Sequence, residues 1–155
     1  MSEKRLKVLK FDGDCISTSE NLLKSVRIVM SEKDFPIVVI PAFEGMTDLL
    51  MDGIEHAGGK EVKVSETISV LTETHYNIAQ ETIKSDKIFN KVIQEITLQI
   101  KKVERLLYGV AYTEEITDAV SAYILSYGER IAAIIFSGAL EDNGCESKII
   151  ETTRI

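Results

Sequence analysis

The most constraining feature of this chain is a short apolar run that meets a glycine turn close to the N-terminus. The run from Leu6 to Leu9 has strand character, Gly13 lies in the turn, and helical spacing follows from Glu20 to Val29. Strand, turn and helix in this order direct backbone N–H groups toward an anion, usually a phosphate. Lys10 lies just before the turn and is close enough along the chain to contact the same anion. An ordinary βα turn has the same pattern, so both interpretations stay open.

Composition and charge exclude several classes of function. A length of 155 residues suits one domain, 1–155, and the net charge of −7 argues against a binder of nucleic acid or of an anionic membrane surface. No apolar run is expected to cross a bilayer, and the first residues do not resemble a signal peptide. Cys15 and Cys145 lack the spacing of a metal or redox motif. We therefore expect a soluble cytoplasmic protein with reduced cysteines.

A second strand and helix repeat the first pattern. The branched run Ile37–Ile40 predicts a strand covered on both faces, as in a parallel sheet. Residues 41–45 then form a second strand-end turn, and a helix opens at Met46 and ends at Gly58–Gly59. Together with the first strand this makes a βαβ unit. Both turns follow strands, at the edge where open α/β sheets bind their ligands.

The middle of the chain predicts a helical hairpin. Apolar residues recur at helical spacing from Ser65 to about Lys84 and again from Asp86 to Tyr108, with Gly109 as the expected C-cap. We interpret His75 as a partly buried core histidine and His56 as a surface residue near a helix end. With two histidines and no nearby cysteine or carboxylate at ligand spacing, no metal site is expected.

The last third of the chain predicts two helices and a strand. Thr113 is the expected N-cap of a helix that leads to the segment Ser126–Arg130. A further apolar helix from Ile131 to Leu140 is expected to close at Asn143–Gly144. Lys148–Ile150 then resembles a third strand.

Three separated segments resemble the aspartokinases of the amino-acid kinase superfamily. They are Lys10-Phe11-x-Gly13, the stretch Ala42-x-x-Gly45-x-Thr47-Asp48-Leu49-Leu50, and Leu125–Arg130. Their order and separation, with a helical insert at about 65–108, are similar to that family. The resemblance implies the N-terminal, substrate-binding half of an aspartokinase catalytic domain. Its fold would be part of a three-layer α/β/α sandwich with a mainly parallel sheet.

The resemblance also implies roles for particular residues. Lys10 would contact the transferred phosphoryl group, and Gly13 and Gly45 would bind phosphate. Thr47, Glu129 and Arg130 would bind the substrate, with Glu129 on its α-amino group. The implied reaction transfers the γ-phosphoryl group of ATP, with Mg²⁺, to the side-chain carboxylate of L-aspartate or a similar small amino acid.

Departures from the family pattern lead to two hypotheses. Asp12 and Asp14 replace a glycine and a hydroxyl residue, and Pro41 and Glu44 stand where serines are usual, so carboxylates face the expected phosphate position and oppose phosphate binding. A magnesium ion bound to a carboxylate would reverse that effect, so both outcomes stay open. A nucleotide-binding half of the family type is also not evident, and we do not expect this chain alone to phosphorylate aspartate. The first hypothesis is an aspartokinase-family protein that needs a C-terminal kinase half. The second is a catalytically inactive amino-acid-binding or assembly module that forms a homo-oligomer or pairs with a kinase.

Overall fold

The computed structural model describes residues 6–34, 36–58 and 60–151. In these ranges the chain has an α/β fold that is mostly helical. Its elements in chain order are β1 (Val8–Lys10), α1 (Ser19–Met30), β2 (Ile37–Val39), α2 (Met46–Ala57), α3 (Glu61–Thr82), α4 (Asp86–Thr113) and α5 (Asp118–Asp142). A single 3-10 turn, Gly13–Cys15, lies between β1 and α1.

The two strands form a parallel sheet, which confirms the predicted βαβ unit. Val8 lies opposite Ile37 and Lys10 opposite Val39. Side chains alternate between the two faces, so Leu9 packs against the helical core while Val8, Ile37 and Val39 remain 57%, 44% and 44% exposed. The prediction that β2 is covered on both faces is therefore wrong, because the described residues place helices on one face of this sheet.

Helix α5 is the centre of the core. It contacts α1, α2, α3 and α4, and most of its turns carry fully buried apolar side chains. Of the described helices, α5 alone is long and apolar enough to cross a membrane by length and composition. The expectation concerned an uninterrupted apolar run, and Glu129 with Arg130 divides the apolar residues of α5 into two shorter runs. A helix that is packed on several sides within a protein has the same apolar character.

The predicted helical hairpin is confirmed, with different bounds. Helix α3 begins at Glu61, before the expected Ser65, and α4 continues past Gly109. Gly109 is therefore inside the helix, and the C-cap is Glu114, whose φ of 54° is left-handed. The carboxylate of Asp142 accepts hydrogen bonds from the backbone amides of Lys84 and Ser85, each at 2.9 Å. These bonds join the hairpin to the end of α5.

Three further predictions about the last third are wrong. The N-cap of α5 is Thr117 and not Thr113. The Thr117 hydroxyl oxygen accepts a hydrogen bond from the backbone amide of Val120 at 3.2 Å. The two expected helices are one, because Ser126–Arg130 continues the α-helical backbone. Lys148–Ile150 is not a strand, since it pairs with neither described strand. The predicted end at Asn143–Gly144 is confirmed.

Glycine allows α5 to approach α4 closely. A Cβ atom at Gly138 would lie 2.4 Å from Cγ2 of Val92 and 3.0 Å from Cδ1 of Ile83. We expect Gly138→Ala to lower the free energy of unfolding by about 1–3 kcal/mol, because the methyl group overpacks this contact. Urea denaturation measures the difference.

Gly109→Ala is the matched control. Gly109 is also inside a helix, but nothing lies within 4 Å of the position of its missing Cβ. Removing a helical glycine there should raise the free energy of unfolding by about 0.5–1 kcal/mol. Equal effects of the two substitutions would contradict the close packing of α5 on α4.

Candidate functional site

The loops that follow β1 and β2 lie at the same edge of the sheet. The amide of Phe11 donates to the carbonyl of Val39 at 3.1 Å, so the two strand ends are joined. Lys10 ends β1 with an exposed side chain, and Asp12 and Asp14 are exposed just beyond it. This is the edge at which open α/β sheets bind ligands.

Side chains of α1 fix the loop after β1. Asn21 donates from Nδ2 to the carbonyl of Asp14 at 3.0 Å, and Ser25 donates from its hydroxyl to the carbonyl of Cys15 at 2.8 Å. Gly13 is exposed, with nothing within 4 Å of its missing Cβ. The backbone at Gly13 is therefore open to solvent.

The loop after β2, residues 40–45, leads directly into the N-terminus of α2. Gly45 is the N-cap and has a left-handed φ of 74°, which a side chain would strain. No side chain caps this helix, so its first-turn amides carry the partial positive charge of a helix N-terminus. Thr47 is exposed in this turn, and Glu44 is exposed just before it.

Helix α5 completes the edge. A Cβ atom at Gly128 would lie 3.0 Å from Cβ of Ala42, so the α5 backbone abuts loop 40–45. Two turns further on, Phe136 contacts the ring of Phe11, with centroids 5.8 Å apart. Glu129 precedes Phe136 by seven residues and so shares its helix face. Helix α5 thus contacts the first sequence segment at Phe11 and the second at Ala42, and Glu129, next to Gly128, is exposed.

Arg130 lies on a different face of α5. Successive helical residues are about 100° apart around the axis, and the Arg130 guanidinium carbon lies 4.9 Å from the ring of Tyr127 and 5.2 Å from that of Tyr123. Tyr127 is buried, Tyr123 is partly exposed, and the Tyr127 hydroxyl donates to the Tyr123 hydroxyl at 3.2 Å. This tyrosine pair was not predicted, although its spacing of four residues within a helix indicates contact.

Two tyrosine pKa values follow from this contact. Burial raises the pKa of Tyr127 to about 12. The hydrogen bond from Tyr127 lowers the pKa of Tyr123, and the charge of Arg130 acts in the same direction. The guanidinium that causes this second effect is the one that lies over both tyrosine rings.

The two histidines lie in opposite environments. His75, predicted to be partly buried, is completely buried in α3 and contacts the ring of Phe43, with centroids 5.5 Å apart. Burial lowers the pKa of His75. His56 lies at the surface, as predicted, with Nδ1 2.9 Å from Oδ1 of Asp52.

Two shallow depressions on the described residues lie away from this edge, one lined by residues 6–7 and 31–34 and the other by residues 60–63 and 66. No group of three or more His, Cys, Asp or Glu side chains within the described ranges comes together to hold a metal ion.

Comparison with known proteins identifies the relatives of this chain. No family model matches it. Aspartokinase 3, chloroplastic, of Arabidopsis thaliana is 29% identical over 95% of this chain and 26% of its own length. The bifunctional aspartokinase/homoserine dehydrogenase of Daucus carota is 23% identical over 92% of this chain and 16% of its own length. The chain is related to the aspartokinases.

Solved structures give the same result for the fold. Aspartokinase III of E. coli in complex with aspartate and ADP superposes with a TM-score of 0.78 at 21% identity, over 90% of this chain and 30% of its own. The same enzyme with lysine and aspartate matches with a TM-score of 0.78 at 22% identity, over 91% of this chain and 30% of its own. The predicted resemblance and an amino-acid-kinase-like α/β fold are thus confirmed. The chain spans about a quarter of the length of the aspartokinases it matches.

The tyrosine contact gives a spectroscopic prediction for this aspartokinase relative. Tyr127→Phe removes the hydroxyl that donates to Tyr123, so the pKa of Tyr123 should rise toward its ordinary value of about 10. The ionisation near pH 12 should disappear with the Tyr127 phenol. Alkaline titration of tyrosinate absorbance measures both changes.

Tyr76→Phe is the control for this titration. Tyr76 packs edge-on against Phe89, away from the Arg130 contact, so its removal should leave the step near pH 12 in place. Persistence of that step in Tyr127→Phe would contradict the assignment to Tyr127.

Proposed function

We propose that this chain forms the amino-acid-binding part of an aspartokinase-type catalytic domain. Its ligand would be L-aspartate or a similar small amino acid, bound at the sheet edge beside loop 40–45. The contact of Gly128 with Ala42 carries the proposal, because it brings the α5 turn that contains Glu129 against loop 40–45, which ends at Gly45. The E. coli structures that share the fold contain aspartate, which supports the choice of ligand.

The proposed roles follow the chemistry of the side chains. Glu129 is an exposed carboxylate and would pair with the α-amino group. Thr47 would hold the ligand through its hydroxyl, next to the amides at the start of α2. Arg130, proposed from the family resemblance as a further substrate residue, would act mainly by fixing this turn of α5, since its guanidinium lies over two tyrosine rings.

Phosphoryl transfer would need more than these residues. Lys10 would stabilise the transferred group, and the amides near Gly13 and Gly45 would contact phosphate oxygens. The exposed carboxylates of Asp12, Asp14 and Glu44 oppose this. At ~5 Å and an effective dielectric constant of about 20, each such like-charge contact would cost about 3 kcal/mol before screening by salt. We therefore propose that ATP and Mg²⁺ are bound by a further kinase segment that completes the three-layer sandwich.

Calorimetric titration tests the amino-acid site. We expect the purified chain to bind L-aspartate and Glu129→Gln to bind it about tenfold to a hundredfold more weakly, because the variant loses a charge-assisted hydrogen bond. A titration with Mg-ATP on the same sample should give no binding heat.

Glu73→Gln is the matched control for that experiment. It makes the same charge change at an exposed position of α3, so its affinity for L-aspartate should equal that of the unchanged chain. Absence of L-aspartate binding by the unchanged chain, or equal affinity of Glu129→Gln, would contradict the proposed site.

A second candidate function is assembly. The exposed sheet face formed by Val8, Ile37 and Val39 favours it, since contiguous apolar surface and open strand edges are typical of interaction sites. Its occupant would be a second copy of this chain or a kinase half. We also propose a cytoplasmic location, which the unpaired Cys15 and Cys145 support; the plant relatives are named as chloroplastic.

Sedimentation velocity tests the assembly function. We expect the unchanged chain to associate with itself and the triple variant Val8→Thr, Ile37→Thr, Val39→Thr to remain monomeric, because threonine keeps strand propensity and removes apolar surface. Val62→Thr with Leu98→Gln removes exposed apolar surface from α3 and α4 instead and should not change association. A monomeric unchanged chain would exclude the homo-oligomer.

A further inference from the structure

Within the described residues, Nε2 of His75 is the one buried side-chain polar atom without a hydrogen-bond partner. The imidazole is completely buried, and Nδ1 lies 2.7 Å from the carbonyl oxygen of Leu71. A carbonyl only accepts, so Nδ1 carries the proton and Nε2 is an unprotonated acceptor. An unsatisfied buried polar group of this kind calls for an explanation.

The ring of His75 supports the loop at the proposed site. Phe43 contacts it, is 3% exposed and lies in the middle of loop 40–45. The Phe43 carbonyl accepts a hydrogen bond from the amide of Met46 at 3.1 Å, and the Gly45 carbonyl accepts one from the amide of Leu49 at 2.9 Å. The position of Phe43 on His75 therefore fixes the approach to the α2 N-terminus.

A proton added to Nε2 of His75 would have no hydrogen-bond acceptor among the described residues to offset the cost of the buried charge. Helices α1, α2, α4 and α5 pack against α3, yet burial and the Leu71 carbonyl are the influences that act on the pKa of His75, and no charged side chain contributes. Glu44, next to Phe43, is exposed. A second N–H donor would thus face apolar surroundings without an acceptor or a counter-charge, which is costly.

We propose that the His75–Phe43 contact is a proton-sensitive closure of loop 40–45. Neutral His75 holds Phe43 in place, and protonation at Nε2 favours a locally open loop in which water reaches the new N–H donor. The effect on L-aspartate rests on the function proposed above, whereas the opening of the loop does not.

The direction of the pH dependence follows from linkage. In the closed loop the pKa of His75 is held below its ordinary value by burial, and in the open loop it returns to about 6.5. The open form therefore binds the proton more tightly, and closure is fully favoured above about pH 6.5 and lost as the pH falls below it. The equilibrium constant for opening should rise between about pH 7.5 and about pH 5.5, by at most about tenfold.

Residue-resolved amide hydrogen exchange tests the closure. The reporters are the amides of Met46 and Leu49, whose acceptors lie in the loop, with rates corrected for intrinsic exchange at each pH. We expect their opening to increase on acidification by up to about tenfold, while core amides of α5 do not change. His75→Phe keeps a ring without a titratable group and should abolish the increase; His75→Leu is the second variant if the larger ring disturbs packing.

His56→Gln provides the control, because it removes the other histidine of the chain, which lies at the surface. It should leave the pH response of Met46 and Leu49 unchanged. The same response in His75→Phe or His75→Leu, or an equal response of the α5 amides, would overturn the proposal. Calorimetry with L-aspartate at the two pH values is a separate arm: failure to bind at either pH contradicts the proposed function and leaves the exchange result intact.

Discussion

The close approach of α5 to its neighbours is the constraint on which the rest of this structure depends. Gly138 removes the side chain that would collide with Val92, and Gly128 does the same at Ala42. Between them, Phe136 packs on Phe11 just after β1. One helix thereby fixes the α4 hairpin, loop 40–45 and the end of β1. The geometry of the candidate site is therefore a consequence of core packing against α5 and does not depend on direct contacts between the loops.

The electrostatic character of the sheet edge is mixed. No side chain caps the N-terminus of α2, so its first-turn amides favour an anion, and the exposed Lys10 does the same. The exposed carboxylates of Asp12, Asp14 and Glu44 oppose an anion. A zwitterionic amino acid suits such a surface better than a polyphosphate, because its ammonium group can pair with a carboxylate while its own carboxylate lies near amides. This balance favours the proposed amino-acid site over phosphoryl transfer by these residues alone, and within the described residues one face of the sheet stays exposed.

Several features could be predicted because they depend on neighbours in sequence. The strand character of Leu6–Leu9, the helix that opens at Met46 and the hairpin were each predicted from local periodicity, and the aspartokinase resemblance from three short segments. The errors were made where local signals compete with packing. Gly109 and Gly128 look like helix ends in the sequence, but both lie inside helices, the first on an exposed face and the second at a tight contact.

The sequence by itself determined the order of the elements, the acidic charge and the identity of the candidate residues, since these are properties of the chain. Only the tertiary structure decided that Val8, Ile37 and Val39 are exposed and that the His75 ring supports Phe43. Each of these depends on which residues that are distant in the chain come into contact when α5 and the hairpin pack. Burial and contact are properties of that packing, and no local pattern specifies them.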